Sequence, residues 1–77
     1  MAAENERQRV LDGLGELRRA LIVRAGQRGG LVWHVALARV EGFELAAIAV
    51  FAQQALLMTT VDAIAREFER MRTDILG

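Results

Sequence analysis

Several residue types on which small proteins rely for stability or catalysis are missing from this 77-residue chain. Cysteine is absent, which excludes disulfides and thiolate metal sites and closes the usual route by which a small secreted domain is stabilised. Serine, lysine and tyrosine are absent as well, so nucleophilic catalysis has no ordinary nucleophile, and we expect no enzyme activity and no cofactor. Proline is also absent, so the strongest helix breaker is missing throughout.

An excess charge of either sign is lacking too. Ten arginines balance ten acidic residues, so the net charge of zero gives no bulk attraction to nucleic acid or to an anionic membrane. Hydrophobic residues make up 53 % and charged residues 26 %, which is typical of a globular chain. The charged N-terminal sequence MAAENERQRV does not resemble a secretory signal, so we expect a cytoplasmic protein.

A single domain is all that this length allows, and a domain so small buries little apolar surface. Without disulfides, association is the remaining common route to stability. We therefore expect a homo-oligomer, with a dimer favoured, and a further protein partner that the sequence does not identify.

The first helix is predicted over about residues 4–25. Gly13 and Gly15 weaken this prediction, because each costs about 1 kcal/mol relative to alanine inside a helix. They mark either a point of close approach or a hinge, or else a tolerated weak spot or a later helix start near Asp12. The predicted packing face of helix 1 repeats at intervals of four, three and four residues and consists of Val10, Leu14, Leu17 and Leu21.

A glycine-rich turn is predicted over residues 26–30, where Gly26, Gly29 and Gly30 supply the backbone freedom for a C-cap and a reversal. The alternative is a phosphate-binding loop. That alternative lacks the lysine and the spacing of a P-loop, and no strand leads into it.

From residue 31 onward, apolar residues alternate at intervals of three and four for about six heptads, which indicates an a/d seam of the coiled-coil type. A helix over 31–76 would be about 69 Å long, roughly twice the length that the first helix can cover. The fold class predicted is all-α: a helical hairpin with a long second helix, assembling as an oligomeric helical bundle. The predicted core and interface seam comprises Trp33, Val40, Phe43, Val50, Gln54, Leu57, Val61, Ile64, Phe68, Met71 and Ile75, with Ala36 and Ala47 completing the repeat.

Two interruptions leave alternatives open. Gly42 would be a kink or the tip of a β-hairpin, although the unbroken heptad counts against the hairpin. Thr59, followed three residues later by Asp62, resembles a capping box. A break near Thr59 and Thr60 would give a three-helix bundle instead of a hairpin.

Gln54 is the one polar residue in the seam. A buried amide needs a partner, so Gln54 either selects the register and oligomeric state or lies at a bend where it meets water.

Charged residues flank the seam. Arg39 with Glu44, and Glu67 with Arg72, have the spacing of contacts between parallel chains. An antiparallel assembly would bring Arg39 toward Glu67 as well, so these charges support association without fixing its direction.

His34 is the only histidine and Trp33 the only tryptophan. A metal site built from His34, Glu41 and Glu44 would match no standard cage, so we expect none. Trp33 is a candidate anchor in the core or at an interface.

The favoured function is a small cytoplasmic interaction protein, acting as a regulator, adaptor or assembly factor through helix contacts. The first alternative is a small membrane protein that uses residues 45–61, seventeen uncharged residues at the lower limit of a bilayer span. The second alternative is a nucleic-acid-binding regulator, based on a weak helix-turn-helix likeness in TVDAIAREFERMRTDIL that lacks a glycine at the turn.

Overall fold

Three α-helices make up the fold. The computed structural model describes residues 2–53 and 55–77, in which α1 spans Ala2–Arg28, α2 spans Leu31–Phe51 and α3 spans Met58–Leu76. These ranges contain no strand. The predicted all-α class is therefore confirmed.

Two glycines reverse the chain between α1 and α2. Gly29 has a φ of 64°, and its N–H donates to the carbonyl oxygen of Ala25 at 3.1 Å, as in a left-handed helix C-cap. Gly30 has a φ of 92° and a ψ of 148°, a conformation that essentially only glycine adopts, and it precedes α2 as its N-cap. The turn is therefore shorter than predicted, because α1 continues through Gly26 to Arg28.

The continuous helix expected over 31–76 does not form. α2 ends at Phe51, and α3 begins at Met58 after an extended N-cap residue, Leu57. The three-helix alternative is the one that the structure has, although the break lies before Thr59 and Thr60, which belong to the first turn of α3. The physical reason is burial: a straight helix of about 69 Å would carry its second half beyond α1, whereas a reversal returns that half to α1.

Gly42 lies in the middle of α2 and does not interrupt it. The β-hairpin alternative is therefore wrong. Gln54 lies outside the residues that the structure describes, so its role in selecting the register stays a prediction.

The central helix is α1, which packs along both other helices, whereas α2 and α3 contact each other only sparsely. α2 runs antiparallel to α1: Arg24 stacks over the Trp33 ring at one end, and the Arg7 Nη1 donates to the Phe51 carbonyl at the other. The buried hydrophobic core contains Val10, Leu14, Leu17, Leu21, Ala25, Val40, Ala47, Phe51, Val61, Phe68 and Met71.

Among the glycines that lie within helices, Gly13 has the tightest contact, and it is a contact with α3. A Cβ built at this position would lie 2.7 Å from Cζ of Phe68, a distance that real Cβ atoms do not tolerate. Because α1 passes through both Gly13 and Gly15 without a break, the later helix start near Asp12 is excluded. Of the sequence-based interpretations, close approach is the one that the structure shows for Gly13.

Candidate interaction surface

α2 carries a second apolar stripe on the side opposite its core contacts. We call this stripe the outer α2 face and define it as Leu31, Val35, Ala38, Gly42, Leu45 and Ala49. Leu31 is 77 % exposed, Leu45 70 % and Val35 57 %. The spacing of four, three, four, three and four residues aligns all six along one side of the helix. α2 therefore presents apolar side chains both to the core and to solvent.

The charged side chains of α2 lie outside this stripe. Arg39 pairs with Asp74 of α3, with Nη2 to Oδ2 at 3.5 Å. Glu44 pairs with Arg18 of α1, with Oε1 to Nε at 2.9 Å. The exposed Glu41 and His34 lie along one edge of the outer α2 face, which itself carries no charge.

Small residues occupy three of the six positions of the outer α2 face. Ala38 and Gly42 are one turn apart, and Ala49 follows two turns later beside the exposed Ala46. A Cβ added at Gly42 would meet nothing within 4 Å. The helix backbone is therefore accessible along this side, which is the property that allows a second helix to approach closely.

The predicted seam lies mainly within the chain's own core. Its residues Val40, Val61, Phe68 and Met71 are buried, together with Ala47. Leu57 is the exception, because it is 68 % exposed in the connection before α3. The remaining described seam residues are half-buried and comprise Trp33, Ala36, Phe43, Val50, Ile64 and Ile75.

The charged residues expected to pair between chains have partners within this chain. Glu67 pairs with Arg70 at 3.2 Å, and Arg72 pairs with Glu69 at 2.7 Å. Arg39 and Glu44 make the contacts to α3 and α1 described above. The exposed pairs among these contribute at most about 1 kcal/mol each, so they do not determine an assembly.

The other candidate sites do not gain support from the geometry. His34 is exposed, and residues 2–53 and 55–77 contain no group of three or more His, Asp or Glu arranged to hold a metal ion. Trp33 is half-buried at the α1–α2 turn, where the Arg24 guanidinium lies 5.2 Å from its ring centroid. α3 is continuous through Glu69, where a helix-turn-helix would need its turn.

An open cleft of about 510 Å³ lies between α1 and α3 beside Gly13 and Phe68. Its rim mixes Arg9 and Arg72 with Asp12, Glu16 and Glu69, so it presents no field of a single sign to a charged ligand. A smaller cavity of about 90 Å³, lined only by apolar side chains of α2 and α3, reflects their loose contact.

The uncharged stretch over 45–61 is not one element. Its first part ends α2, its middle forms the connection, and its last residues begin α3. Among the helices of the described ranges, none combines the length and the hydrophobicity needed to cross a bilayer.

The outer α2 face was not predicted from the sequence, although its signal is present there. The heptad seam starting at Trp33 accounts for one set of apolar residues of α2, and the second set lies outside that seam. A search for a second stripe in the same helix, offset by half a turn, would have found Leu31, Val35 and Leu45.

Over residues 2–53 and 55–77 the chain is a small all-α protein of three helices, and α2 exposes an apolar face to solvent. Comparisons with known proteins found no matching family model, no matching curated protein and no matching solved structure.

Proposed function

We propose that this chain is a small, non-catalytic helical interaction protein that acts by self-association. Its role is that of a regulator, an adaptor or an assembly factor. The outer α2 face carries the proposal. Leu31, Val35 and Leu45 expose apolar surface on a helix whose stripe holds no charge. Removing such surface from water stabilises an assembly by about 25 cal/mol for each Å².

A solvent-facing helix in a small protein normally has charged or polar residues on its outer side. Contiguous apolar patches on monomers commonly mark interaction sites. The absence of Ser, Cys, Lys and Tyr supports a non-catalytic role, and the absence of cysteine is compatible with the cytoplasmic location that we include in the proposal.

Light scattering coupled to size-exclusion chromatography, over a series of protein concentrations, tests the proposal. The wild-type chain should form dimers, and Leu45→Glu should dissociate them because a carboxylate would be buried in an apolar contact. Leu57→Glu is the matched control. It introduces the same charge at a leucine of nearly equal exposure, 68 % against 70 %, outside the outer α2 face.

The expected pattern is a wild-type dimer, a monomeric Leu45→Glu variant and a Leu57→Glu variant that behaves as wild type. Helical circular dichroism should be the same for all three chains. A wild-type chain that stays monomeric up to millimolar concentration contradicts self-association, and equal effects of both substitutions would contradict the role of α2.

A further inference from the structure

We infer that the occupant of the outer α2 face is a second copy of this chain, docked with its α2 antiparallel and with Gly42 next to the two-fold axis. The inference rests on the proposed function and adds the direction and the register of the contact. It follows from how side-chain size changes along the face.

Large and small side chains are interspersed along the outer α2 face, where Leu31 and Val35 are followed by Ala38 and Gly42, and then by Leu45 and Ala49. The large side chains of this face, Leu31, Val35 and Leu45, are all exposed, and so are the small residues between and after them. Reversing one copy about Gly42 places Val35 and Leu45 opposite small side chains, whereas Leu31 lies across from residue 53, beyond the end of α2. Val35 then faces Ala49 of the second copy, and Leu45 faces Ala38.

A parallel pair would lack this complementarity. Each large side chain would meet its own copy, so the Leu31, Val35 and Leu45 pairs would hold the two helices apart. The small residues Ala38, Gly42 and Ala49 would then face each other across a gap, and unfilled gaps lose packing energy. The antiparallel pair keeps the distance between the helix axes nearly constant.

The exposed area agrees with a modest interface. The chain has 5222 Å² of accessible surface for a mass of 8.5 kDa. A compact monomer of this mass is expected to expose about 4,700 Å², so roughly 500–600 Å² is in excess. An interface of that size on each copy belongs to the small end of specific interfaces, so the dimer should form reversibly with concentration.

One charge distinguishes the two directions. In the antiparallel pair, equivalent edges of the two helices meet, so the exposed Glu41 side chains of both copies approach each other near the axis. In a parallel pair, Glu41 would instead lie across from Ala46 of the second copy. Glu41→Gln should therefore tighten an antiparallel dimer by about two-fold and leave a parallel one unchanged.

Disulfide trapping in a glutathione redox buffer tests the direction on the full chain, because the natural sequence has no cysteine. Single variants Val35→Cys and Ala49→Cys are incubated separately and as a mixture. Gly42→Cys is incubated alone and tests whether Gly42 lies next to the two-fold axis. Leu57→Cys is the control outside the face. Linkage requires Cα atoms about 4.4–6.8 Å apart, whereas Val35 and its own symmetry mate would be about 21 Å apart in the antiparallel pair.

We expect the mixture of Val35→Cys and Ala49→Cys to give at least roughly ten-fold more linked dimer than either variant alone, since linkage depends on the effective concentration of the two thiols. Gly42→Cys should link with itself, and Leu57→Cys should not. Efficient linkage of Val35→Cys with itself would overturn the antiparallel direction.

Failure of the inference and failure of the proposed function are separable. A wild-type dimer in light scattering, together with no linkage at any α2 position, would overturn docking through this face and leave self-association standing. A wild-type chain that is monomeric at every concentration would overturn both.

Discussion

α2 and α3 are both apolar on the side that faces α1, but they differ on the side that faces solvent. The outward side of α3 is polar, with Asp62, Arg66, Arg70 and Thr73 all exposed. The outward side of α2 is the uncharged stripe from Leu31 to Ala49. α3 is therefore a helix whose exposed side suits water, whereas α2 exposes a surface that is stabilised by being covered.

The two helices are both held mainly by α1 and contact each other only sparsely. α3 is in tight contact with α1, because the Phe68 ring occupies the space left by the missing Cβ of Gly13. α2 is connected to α3 only loosely, with a cavity of about 90 Å³ between Phe43, Val50 and Ile64. Burial in the core accounts for Val61, Phe68 and Met71 of α3, whereas α2 leaves Leu31, Val35 and Leu45 largely exposed.

The largest effect is expected from the inward side of α3. Phe68→Ala should lower the free energy of unfolding by about 3–5 kcal/mol, because it removes a buried ring and leaves a cavity beside Gly13. Urea denaturation followed by circular dichroism measures the loss. Thr73→Ala on the outward side of the same helix is the control and should change the stability by less than about 0.5 kcal/mol.

The outward sides of the two helices can be compared by making the same substitution, alanine to glutamate, once in each helix. Ala49→Glu on α2 and Ala63→Glu on α3 place the same charge on an exposed alanine. Ala49→Glu should weaken self-association at least about ten-fold, since a carboxylate at the contact loses its hydration. Ala63→Glu should change it less than two-fold in sedimentation equilibrium. Equal dissociation constants for the two variants would remove the distinction between the helices.

Much of the fold follows from local sequence pattern. The face formed by Val10, Leu14, Leu17 and Leu21 shows the periodicity of a helix that packs on one side, and the paired Gly29 and Gly30 give a clear reversal. Both features depend on nearby residues. The all-α class could therefore be predicted.

The break before α3 and the outer α2 face could not be predicted in the same way. Neither glycine nor proline marks the connection at 52–57, and the reversal results from the gain of packing Val61 and Met71 on α1, which is a contact between distant parts of the chain. The heptad register continues across the break, so the spacing of the apolar residues does not indicate that the helix ends there. In α2, the apolar repeat from Trp33 to Val50 is sufficient to predict a helix, so the second apolar repeat on the opposite side was not predicted.

Gly13 and Gly15 form a matched pair for testing how closely α3 lies against α1. Alanine is favoured over glycine in a helix by about 1 kcal/mol, so Gly15→Ala, whose Cβ would meet only arginine side chains, should stabilise the fold by up to that amount. Gly13→Ala should instead destabilise it by about 1 kcal/mol, because the crowding against the buried Phe68 ring outweighs the same gain.

Thermal or urea unfolding of both variants measures these opposite signs. In a Phe68→Leu background, the penalty of Gly13→Ala should shrink while the effect of Gly15→Ala persists. If Gly13→Ala stabilised the protein as much as Gly15→Ala, then α3 would not lie as close to α1 as the structure shows.

The smallest effects are expected from the two ion pairs that connect α2 to its neighbours. Arg18 and Glu44 are half-buried at the α1 contact, whereas Arg39 and Asp74 are exposed at the α3 contact. Arg39→Gln should cost less than about 0.5 kcal/mol, and Arg18→Gln should cost up to about 1 kcal/mol because the Nε donates a 2.9 Å hydrogen bond in a less hydrated place. Unfolding in low and high salt checks the assignment, since screening should reduce the Arg39 effect more. A larger cost for Arg39→Gln would mean that α2 depends on α3 more than on α1, contrary to the sparse α2–α3 contact.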